Sequence, residues 1–351
     1  MILHLFTHDK FAYDYICFIH EHFEEKDHLF LLFTEPNTLY PIPEFKNVKV
    51  ISHVARSSIL RRFLRIKNAL LLKRSAQKAD KIILHGLFIK KIMWFLEKRS
   101  HLLDKTYWVV WGGDLYLYQE ITQNHPLEVL RQKIIPKMAG FITYVKGDFN
   151  LIQEWYGAKG RWLECLCYPS NVINIPNETL TPKDSRKRIL VGNSADPTNN
   201  HIDIFNALKG IDLSDVEVIV PLSYGDEEYA KEIIKEGHKR FDHFLPIQNF
   251  LQKKDYLKLL DSISVAFFAH DRQQGMGNLI YLIYRGKKVY LKKTTTSWTY
   301  FESIGVVCSE YDDNINLSSL ETCIAEKNHK SIKRHHSREN LAKQWMNVFD
   351  C

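Results

Sequence analysis

The sequence predicts an α/β protein made of two doubly wound halves, each a parallel sheet with helices on both faces. Short apolar segments alternate with amphipathic stretches along the whole chain, a pattern typical of parallel sheets. The alternation stops once, in a proline-containing segment near the middle, and 351 residues exceed what a single core usually organises. Because ligands of open α/β sheets bind at the carboxyl ends of strands, we expect the halves to face each other across a ligand-binding cleft.

The first half is predicted to hold a series of short buried strands with amphipathic helices between several of them. The predicted strands are Ile2–Phe6, Leu29–Thr34, Val48–Ser52, Lys81–Leu84, Thr106–Val110, Phe141–Val145 and Trp162–Tyr168. The predicted helices are Phe11–Phe23, Ile59–Gln77 and Phe88–Arg99. The first apolar segment has neither a basic n-region nor a small-residue cleavage site, which favours a buried strand over a signal peptide.

A segment of linker composition separates the halves, because Tyr168–Arg188 contains three prolines among Asn, Thr and Lys. We place the first domain at 1–170, the linker at 171–187 and the second domain at 188–335. A helix at 336–351 is expected to cross back to the first domain. The predicted strands of the second half are Arg188–Val191, Val216–Val220, Val265–Phe268 and Val289–Leu291, and its predicted helices are Ile202–Leu208, Asp226–Glu236, Lys254–Ser262 and Asn278–Tyr284.

Composition narrows the class of partner. The net charge of +7 favours an anionic partner, which leaves a nucleotide, a phospholipid surface or nucleic acid. The six cysteines are scattered, which indicates reduced thiols rather than a disulfide framework or a zinc site. No run of 18 uncharged apolar residues occurs, so we expect a protein that is soluble or lies on a membrane surface.

Three polar loops that follow strands of the second half contain the candidate ligand-binding residues. Glycines there allow close backbone approach, helix N-termini favour an anion, and the forked donors of Arg272 suit a diphosphate. Each loop is also compatible with an ordinary capped or solvated turn, and Tyr224 with either base stacking or surface packing. The candidates are Gly192, Asn193, Ser194 and Asn199, then Ser223, Tyr224 and Gly225, then His270, Arg272, Gln273, Gln274, Gly275, Gly277 and Asn278.

Two loops of the first half carry candidates for proton transfer. His85-Gly86 follows one predicted strand, and Trp111-Gly112-Gly113-Asp114 follows the next. Asp114 is expected to be an exposed carboxylate on a flexible loop, and a carboxylate or an imidazole at this edge can deprotonate a hydroxyl. The alternatives are a hydrogen-bonded core histidine for His85 and a helix cap for Asp114.

A basic region follows the third predicted strand, with fourteen Lys or Arg residues and three acids between Arg56 and Lys105. The helix predicted there places Ile59, Leu60, Phe63, Leu64, Leu70 and Leu71 on one face and most of its cations on the other, as in helices that lie in an anionic headgroup layer. The alternative is a surface helix whose apolar face packs on the sheet. Nucleic acid is less favoured because no helix-turn-helix, zinc finger or RNP motif occurs. The candidate membrane or acceptor contacts are Arg61, Arg62, Arg65, Lys73 and Arg74.

Five segments together resemble a known family. They are Ile189–Asp203 (ILVGNSADPTNNHID), Val218–Gly225 (VIVPLSYG), Phe268–Gly277 (FAHDRQQGMG), His85-Gly86, and Trp111 to Tyr116. Taken in their order along the chain, they resemble the bacterial TDP-N-acetylfucosamine:lipid II N-acetylfucosaminyltransferases of enterobacterial common antigen synthesis. The resemblance implies a GT-B fold, peripheral attachment to the cytoplasmic side of the inner membrane, a dTDP- or UDP-activated deoxy-amino sugar and an undecaprenyl-diphosphate-linked saccharide acceptor.

The resemblance also implies roles for the candidate residues. The three loops of the second half would bind the nucleotide sugar, the first half would bind the acceptor, and Asp114 would act as general base with His85 as the alternative. The families it resembles need no metal, and no DxD motif occurs, so no cofactor is expected and Arg272, Lys292 and the amides near Gly275 would steady the departing diphosphate. Two other interpretations stay open: a GT-B sugar-nucleotide epimerase, and a non-catalytic lipid- or polyanion-binding protein.

Overall fold

The computed structural model describes residues 1–34, 40–52, 57–173, 186–312 and 314–351. The chain folds into two compact units, one formed by Met1–Val172 with Arg338–Cys351 and the other by Ile173–Ser337. Most of the predicted linker at 171–187 lies outside the described residues, which resume at 186.

The first unit is built on a seven-stranded sheet in which every pairing is parallel. Its strands are β1 (Ile2–Thr7), β2 (His28–Phe33), β3 (Val48–Ile51), β4 (Lys81–His85), β5 (Thr106–Val109), β6 (Gly140–Ile142) and β7 (Arg161–Leu163), in the order β3-β2-β1-β4-β5-β6-β7. Its helices are α1 (Ala12–His22), α2 (Ser58–Lys78), α3 (Lys90–Glu97), α4 (Gly113–Glu120), α5 (Pro126–Ile134) and α6 (Lys146–Tyr156). The order reverses direction between β1 and β4, so the loops after these two strands lie at the topological switch point of the sheet.

The second unit repeats this plan with six parallel strands. Its strands are β8 (Lys187–Val191), β9 (Val216–Pro221), β10 (Phe244–Ile247), β11 (Val265–Phe268), β12 (Lys288–Leu291) and β13 (Ser309–Glu310), in the order β10-β9-β8-β11-β12-β13. Its helices are α7 (His201–Ala207), α8 (Glu227–Arg240), α9 (Lys253–Ser262), α10 (Met276–Tyr284), α11 (Thr296–Ser303) and α12 (Thr322–His335). The switch point of this sheet lies between β8 and β11.

The last helix, α13 (Arg338–Asp350), belongs to the first unit. Its Trp345 is fully buried, with the indole Nε1 donating to the carbonyl of Cys167 at 2.9 Å. The ammonium of Lys81 donates to the carbonyls of Phe349 and Cys351 at 3.1 and 2.9 Å. These carbonyls lie at a helix C-terminus, where the backbone lacks intrahelical donors and the dipole favours a cation, so Lys81 stabilises the helix end.

Side-chain caps set where several helices begin. Ser57 accepts from the amide of Leu60 at 3.2 Å, and Asp226 accepts from the amide of Tyr229 at 2.8 Å. Each cap satisfies one amide of a first helical turn, which is the reason Ser and Asp are favoured there.

The predicted elements differ from the structure mainly at their ends and at the sheet edges. The strand predicted at Trp162–Tyr168 ends at Leu163, and Cys167 has a φ of 69°, which a strand does not accommodate. Strand β10 was not predicted; it lies at the edge of its sheet and contains Pro246, a residue that sheets tolerate at edges. Strand β13, helices α5, α6 and α11, and most of α12 were also not predicted.

Candidate functional site

Asp114 lies inside the first unit, in the first turn of α4, and is fully buried. Its Oδ2 accepts from the amide of Leu87 at 2.8 Å and from Trp108 Nε1 at 2.7 Å, and its Oδ1 accepts from the amide of Trp111 at 2.9 Å. Burial raises the pKa of this carboxyl, and the nearby Arg131 opposes the shift. The expectation of an exposed carboxylate on a flexible loop is therefore wrong. Asp114 ties together the loops that follow β4 and β5.

His85 is also enclosed, at the end of β4. Its Nδ1 shares a hydrogen bond with the hydroxyl of Tyr168 at 2.9 Å, and its Nε2 shares one with Nδ1 of His4 at 3.1 Å. The series of hydrogen bonds continues from Nε2 of His4 to Nδ1 of His28 at 3.0 Å. Burial lowers the pKa of His85 well below its ordinary value. With both ring nitrogens engaged, His85 matches the alternative of a hydrogen-bonded core histidine, and it supports Tyr168.

A carboxylate that the sequence analysis missed lies at the same edge of this sheet. Asp9 stands two residues after β1, at the switch point. Its Oδ1 accepts from the amide of Phe11 at 2.7 Å, whereas its buried Oδ2 has no hydrogen-bond partner among the described residues. Burial raises the pKa of Asp9 to about 6. The available signal was a polar His8-Asp9 pair directly after the apolar first strand.

Aromatic rings accompany Asp9. The ring of Phe11 stacks on that of Tyr168 with centroids 5.1 Å apart and meets Trp111 edge-on at the same distance. Trp111 Nε1 donates to the Tyr168 hydroxyl at 2.7 Å, which fixes the two rings against each other. The first unit thus presents a carboxylate beside aromatic rings, a combination suited to a polar ligand that also has apolar faces.

In the second unit the fold brings the three predicted loops together at the switch point. The amide of Asn193 donates to Oδ1 of Asn199 at 2.8 Å, and Asn199 Nδ2 donates to Ser194 Oγ at 3.2 Å. The third loop joins through Nε2 of His270, which lies 3.0 Å from the same Asn199 Oδ1. Burial lowers the pKa of His270 to about 3, so this ring is a neutral support beneath the loops and does not offer a charge to a ligand.

The second loop docks on the first through backbone contacts. The amide of Ala195 donates to the carbonyl of Tyr224 at 2.8 Å, and Tyr224 is followed by Gly225 at φ 119°, where a Cβ would stand 2.6 Å from the Ala195 carbonyl. Only glycine fits this close approach. Ser223 is partly exposed, and 59% of Tyr224 is exposed although its hydroxyl accepts from Asn193 Nδ2 at 3.0 Å. An aromatic face therefore lies open beside the glycine-bearing loops.

A polar cradle is formed by Gly192, Asn193 and Gly275. Oδ1 of Asn193 is buried, has no hydrogen-bond partner within the described ranges, and lies 3.0 Å from where a Cβ of Gly275 would stand. Gly275 has a φ of 64° and is the N-cap of α10. Gly192 has a φ of 67°, and a Cβ there would lie 2.6 Å from Nε2 of His201. The N-terminus of α10 favours an anionic group, whereas the unpaired Asn193 oxygen calls for a hydrogen-bond donor, so the cradle suits a ligand that carries both.

The predicted cations of this edge are partly paired. Nη2 of Arg272 lies 3.3 Å from Oδ2 of Asp196, while its buried Nε has no partner in the described part of the chain. Lys292 Nζ lies 2.7 Å from Oδ1 of Asp271. Thr198 Oγ1 donates to Gln274 Oε1 at 2.7 Å, which links the β8–α7 loop to the β11–α10 loop that contains Arg272. Arg272 therefore has a donor, Nε, that can bind a ligand, whereas the ammonium of Lys292 is paired with the carboxylate of Asp271.

The remaining predicted residues of the third loop divide into two groups. Gly277 lies in the first turn of α10 with open space where a Cβ would stand, and Gln273 is partly buried. Asn278 instead donates through Nδ2 to the hydroxyl of Tyr256 at 2.8 Å, which engages it in the packing of α10 on α9. One donor of the Asn278 amide is therefore engaged within the protein, and the donor-binding role of Asn278 stays a prediction.

Helix α2 exposes most of the predicted apolar face, because Ile59, Leu60, Phe63 and Leu70 are all exposed, whereas Leu64 is half-buried. Its exposed large apolar residues include Ile59, Phe63, Ile66 and Leu70, which are four, three and four residues apart and so share one face. Leu71 packs inward against the sheet core. By the same spacing, Arg62, Lys73 and Arg74 flank the exposed stripe, whereas Arg61 and Arg65 lie on the other side of the helix. None of the helices in the described ranges is both long and apolar enough to cross a membrane.

Several solved structures share this architecture over nearly the whole chain. The chain is similar to sucrose-phosphate synthase from Thermosynechococcus elongatus (TM-score 0.67, 11% identity, covering 100% of this chain and 98% of that one). It is also similar to WaaG, a glycosyltransferase involved in lipopolysaccharide biosynthesis (0.55, 12%, 100% and 95%), and to the alpha,alpha-trehalose 6-phosphate synthase from Burkholderia multivorans (0.59, 11%, 99% and 97%). Two parallel α/β units with these relatives define the GT-B fold.

The family model described as 4-alpha-L-fucosyltransferase, glycosyl transferase group 56, matches residues 52–349. The chain therefore belongs to this family, as the five segments predicted, and it is a glycosyltransferase that uses a nucleotide-sugar donor and a saccharide acceptor. This result disfavours both the epimerase and the non-catalytic interpretation.

Proposed function

We propose that this glycosyltransferase moves a deoxy-amino sugar, such as 4-acetamido-4,6-dideoxygalactose, from dTDP or UDP to an undecaprenyl-diphosphate-linked saccharide. The reaction would take place at the cytoplasmic face of a bacterial inner membrane, in the synthesis of surface polysaccharide such as enterobacterial common antigen. The observation that carries the proposal is the unpartnered Oδ1 of Asn193 beside Gly275, at the switch point of the second sheet.

The second unit supports the donor side of the proposal. The N-terminus of α10 offers backbone amides and a positive dipole end to a diphosphate, and Gly275 lets that diphosphate approach closely. Asn193 would meet a hydroxyl or amide of the sugar, and the exposed ring of Tyr224 would stack on the nucleotide base. These three contacts address the three parts of a nucleotide sugar.

The leaving group requires positive charge. Transfer to an acceptor leaves the nucleoside diphosphate with an additional negative charge, which donors fixed in advance stabilise best. The unpartnered Nε of Arg272 and the amides at the start of α10 are the groups proposed for this role, without a metal ion. Lys292 would contribute only after release from Asp271.

The first unit supports the membrane side of the proposal. An apolar stripe that is largely exposed, with Ile59 82% and Phe63 61% exposed, is unusual on a surface helix unless a partner covers it. Cations on both flanks of that stripe match the negative headgroups of an anionic bilayer, while the stripe would enter the headgroup layer. An acceptor anchored by a polyprenyl chain would then be reached at the membrane surface.

The experiment combines binding and turnover. Isothermal titration with dTDP- and UDP-linked 4-acetamido-4,6-dideoxygalactose should show binding by the wild-type protein, and a lipid-linked disaccharide should then gain one sugar by mass spectrometry. N193A should weaken donor binding about tenfold, the loss of one hydrogen bond in a desolvated site. The matched control is N206A, which alters an asparagine of α7 that pairs with Arg240 on the surface. Absence of transfer from both donors, or equal effects of the two variants, would show the proposal to be wrong.

A further inference from the structure

We infer that Asp9 is the general base that removes the proton from the acceptor hydroxyl, an inference that rests on the proposed function. Neither residue chosen from the sequence is placed for this step. Asp114 already accepts three hydrogen bonds, and both ring nitrogens of His85 are engaged. Asp9 lies at the same carboxyl edge and keeps one carboxylate oxygen unpaired.

The backbone holds this carboxylate in one orientation. Oδ1 of Asp9 accepts from the amide of Phe11 at 2.7 Å, and the Asp9 carbonyl accepts from the amide of Ala12 at 3.3 Å, just before α1 begins. Oδ2 is left buried and unpaired, an arrangement that costs free energy until a donor arrives. A substrate hydroxyl supplies the missing donor, which explains why a folded protein keeps the oxygen in this state.

The surroundings of Asp9 suit a sugar acceptor. Phe11 and Trp111 are partly exposed and contact each other edge-on, with buried Tyr168 stacked behind Phe11, and pyranose rings have apolar C–H faces that pack on such aromatic surfaces. Asp114 fixes this wall through the amide of Trp111, and His85 fixes it through the hydroxyl of Tyr168. Both residues therefore act as positioning residues for the acceptor site.

The acidity of the carboxyl agrees with the role. Burial raises the pKa of Asp9 to about 6, against opposing effects of the Phe11 and Ala12 amides and of the charges of Lys10 and His8. Burial, with a small contribution from the charge of Asp9, raises the pKa of Tyr168 well above its ordinary value, so Tyr168 stays neutral. Near neutral pH Asp9 is thus ionised yet more basic than an ordinary aspartate, as a general base requires.

The proposed step balances in atoms and charge. The acceptor hydroxyl gives its proton to Oδ2 of Asp9 while its oxygen forms a bond to the anomeric carbon of the donor. The bond from that carbon to the diphosphate oxygen breaks, and its electron pair leaves with the nucleoside diphosphate. A single displacement of this kind inverts the anomeric configuration.

The test compares D9N with D14N, which changes an exposed aspartate five residues further on, in α1. With the donor and acceptor that the wild type turns over, D9N should lower kcat by about 10²- to 10⁴-fold, the usual contribution of a general base, and leave donor affinity unchanged. D14N should stay within twofold of the wild type. The wild-type kcat/KM should fall below pH 6 with a limb that D9N lacks, and the product should have inverted configuration.

Stability separates a catalytic from a structural role. Because the pKa of Asp9 is raised from 3.8 to about 6, its contribution to stability is full below pH 3.8 and is lost as the pH rises through 6. D9N should therefore melt at or above the wild-type temperature at pH 8 while being far less active. A large loss of stability together with activity would indicate a structural role and overturn the inference.

Failure of the inference is distinguishable from failure of the proposed function. If the wild type transfers sugar and D9N keeps its kcat, or if configuration is retained, Asp9 is not the base although the function stands. If the wild type transfers no sugar from either donor, the proposed function fails. Carbon-13 NMR then still tests Asp9, since a carboxyl that titrates below pH 4.5 contradicts the basicity on which the inference depends.

Discussion

The indole of Trp111 donates a hydrogen bond to the hydroxyl of Tyr168 at 2.7 Å, and this contact sets the direction of a longer hydrogen-bond chain. An indole nitrogen only donates, so the Tyr168 oxygen accepts there. The Tyr168 hydrogen then points to Nδ1 of His85, its nearest ring nitrogen at 2.9 Å. The imidazoles of His85, His4 and His28 follow in series with spacings of 3.1 and 3.0 Å.

This direction predicts the tautomers of three histidines. If Tyr168 donates to His85 Nδ1, then His85, His4 and His28 all carry their hydrogen on Nε2. Burial lowers the pKa of all three rings, so they are neutral at pH 7. Long-range ¹H–¹⁵N NMR should find three Nε2–H tautomers. W111F should leave the Tyr168 hydroxyl without its fixed donor and broaden the His85 signals, and a His85 with its hydrogen on Nδ1 would contradict the assignment.

The glycines of the second unit predict a contrast in stability. Alanine at Gly192 would combine a φ of 67° with a Cβ 2.6 Å from the fully buried His201, whereas alanine at Gly277 would occupy open space. We expect G192A to cost about 1–3 kcal/mol of unfolding free energy, from backbone strain and steric overlap, and G277A to cost less than about 0.5 kcal/mol. Urea unfolding of both variants measures the difference. Equal stability would mean that the β8–α7 loop relaxes to admit a side chain.

Two double charge reversals, one on each side of α2, should differ in their effect on membrane binding. R62E/R74E changes cations that flank the exposed apolar stripe, and R61E/R65E changes two cations on the other side of the helix. We expect the first pair to weaken binding to anionic phospholipid vesicles in a sedimentation assay by about 30-fold or more, since each lost cation costs near 1 kcal/mol, and the second pair to have a smaller effect. Similar losses from both pairs would mean that overall charge, and not this face, attracts the membrane.

Replacing Arg272 should slow the chemical step rather than weaken substrate binding. Arg272 is held by Asp196, and its Nε, which has no partner among the described residues, can donate a hydrogen bond to the negative charge that develops on the diphosphate. R272A should lower kcat by about 10²- to 10³-fold, as when one fixed donor to a developing anion is removed. K292A should cost less, because Lys292 is held by Asp271 at 2.7 Å. Steady-state kinetics decide the matter, and an R272A variant that changes only KM would indicate ground-state binding alone.

Much of the fold was accessible from the sequence because local patterns encode it. Buried strands such as Ile2–Thr7 and Val265–Phe268 alternate with amphipathic helices, and several strand ends are followed by polar, glycine-bearing turns, such as those at Gly192 and Gly225. Edge elements were harder, since β10 is half-exposed and contains a proline. The donor loops were found as a group because in a parallel sheet the strand ends on either side of the switch point lie at one edge.

The sequence by itself determined the two parallel sheets, the family and the three loops that meet at the switch point of the second sheet, because these depend on order along the chain. Only the tertiary structure decided which polar side chain of the first unit still has an atom able to accept a hydrogen bond from a ligand. Asp114 accepts from the amide of Leu87, 27 residues away, and His85 shares a hydrogen bond with His4, 81 residues away. Oδ2 of Asp9 meets no donor in the part of the chain that the structure describes. Burial and pairing depend on such distant contacts. The carboxylate of Asp114 was therefore expected to be exposed, whereas in the fold it is buried and accepts three hydrogen bonds.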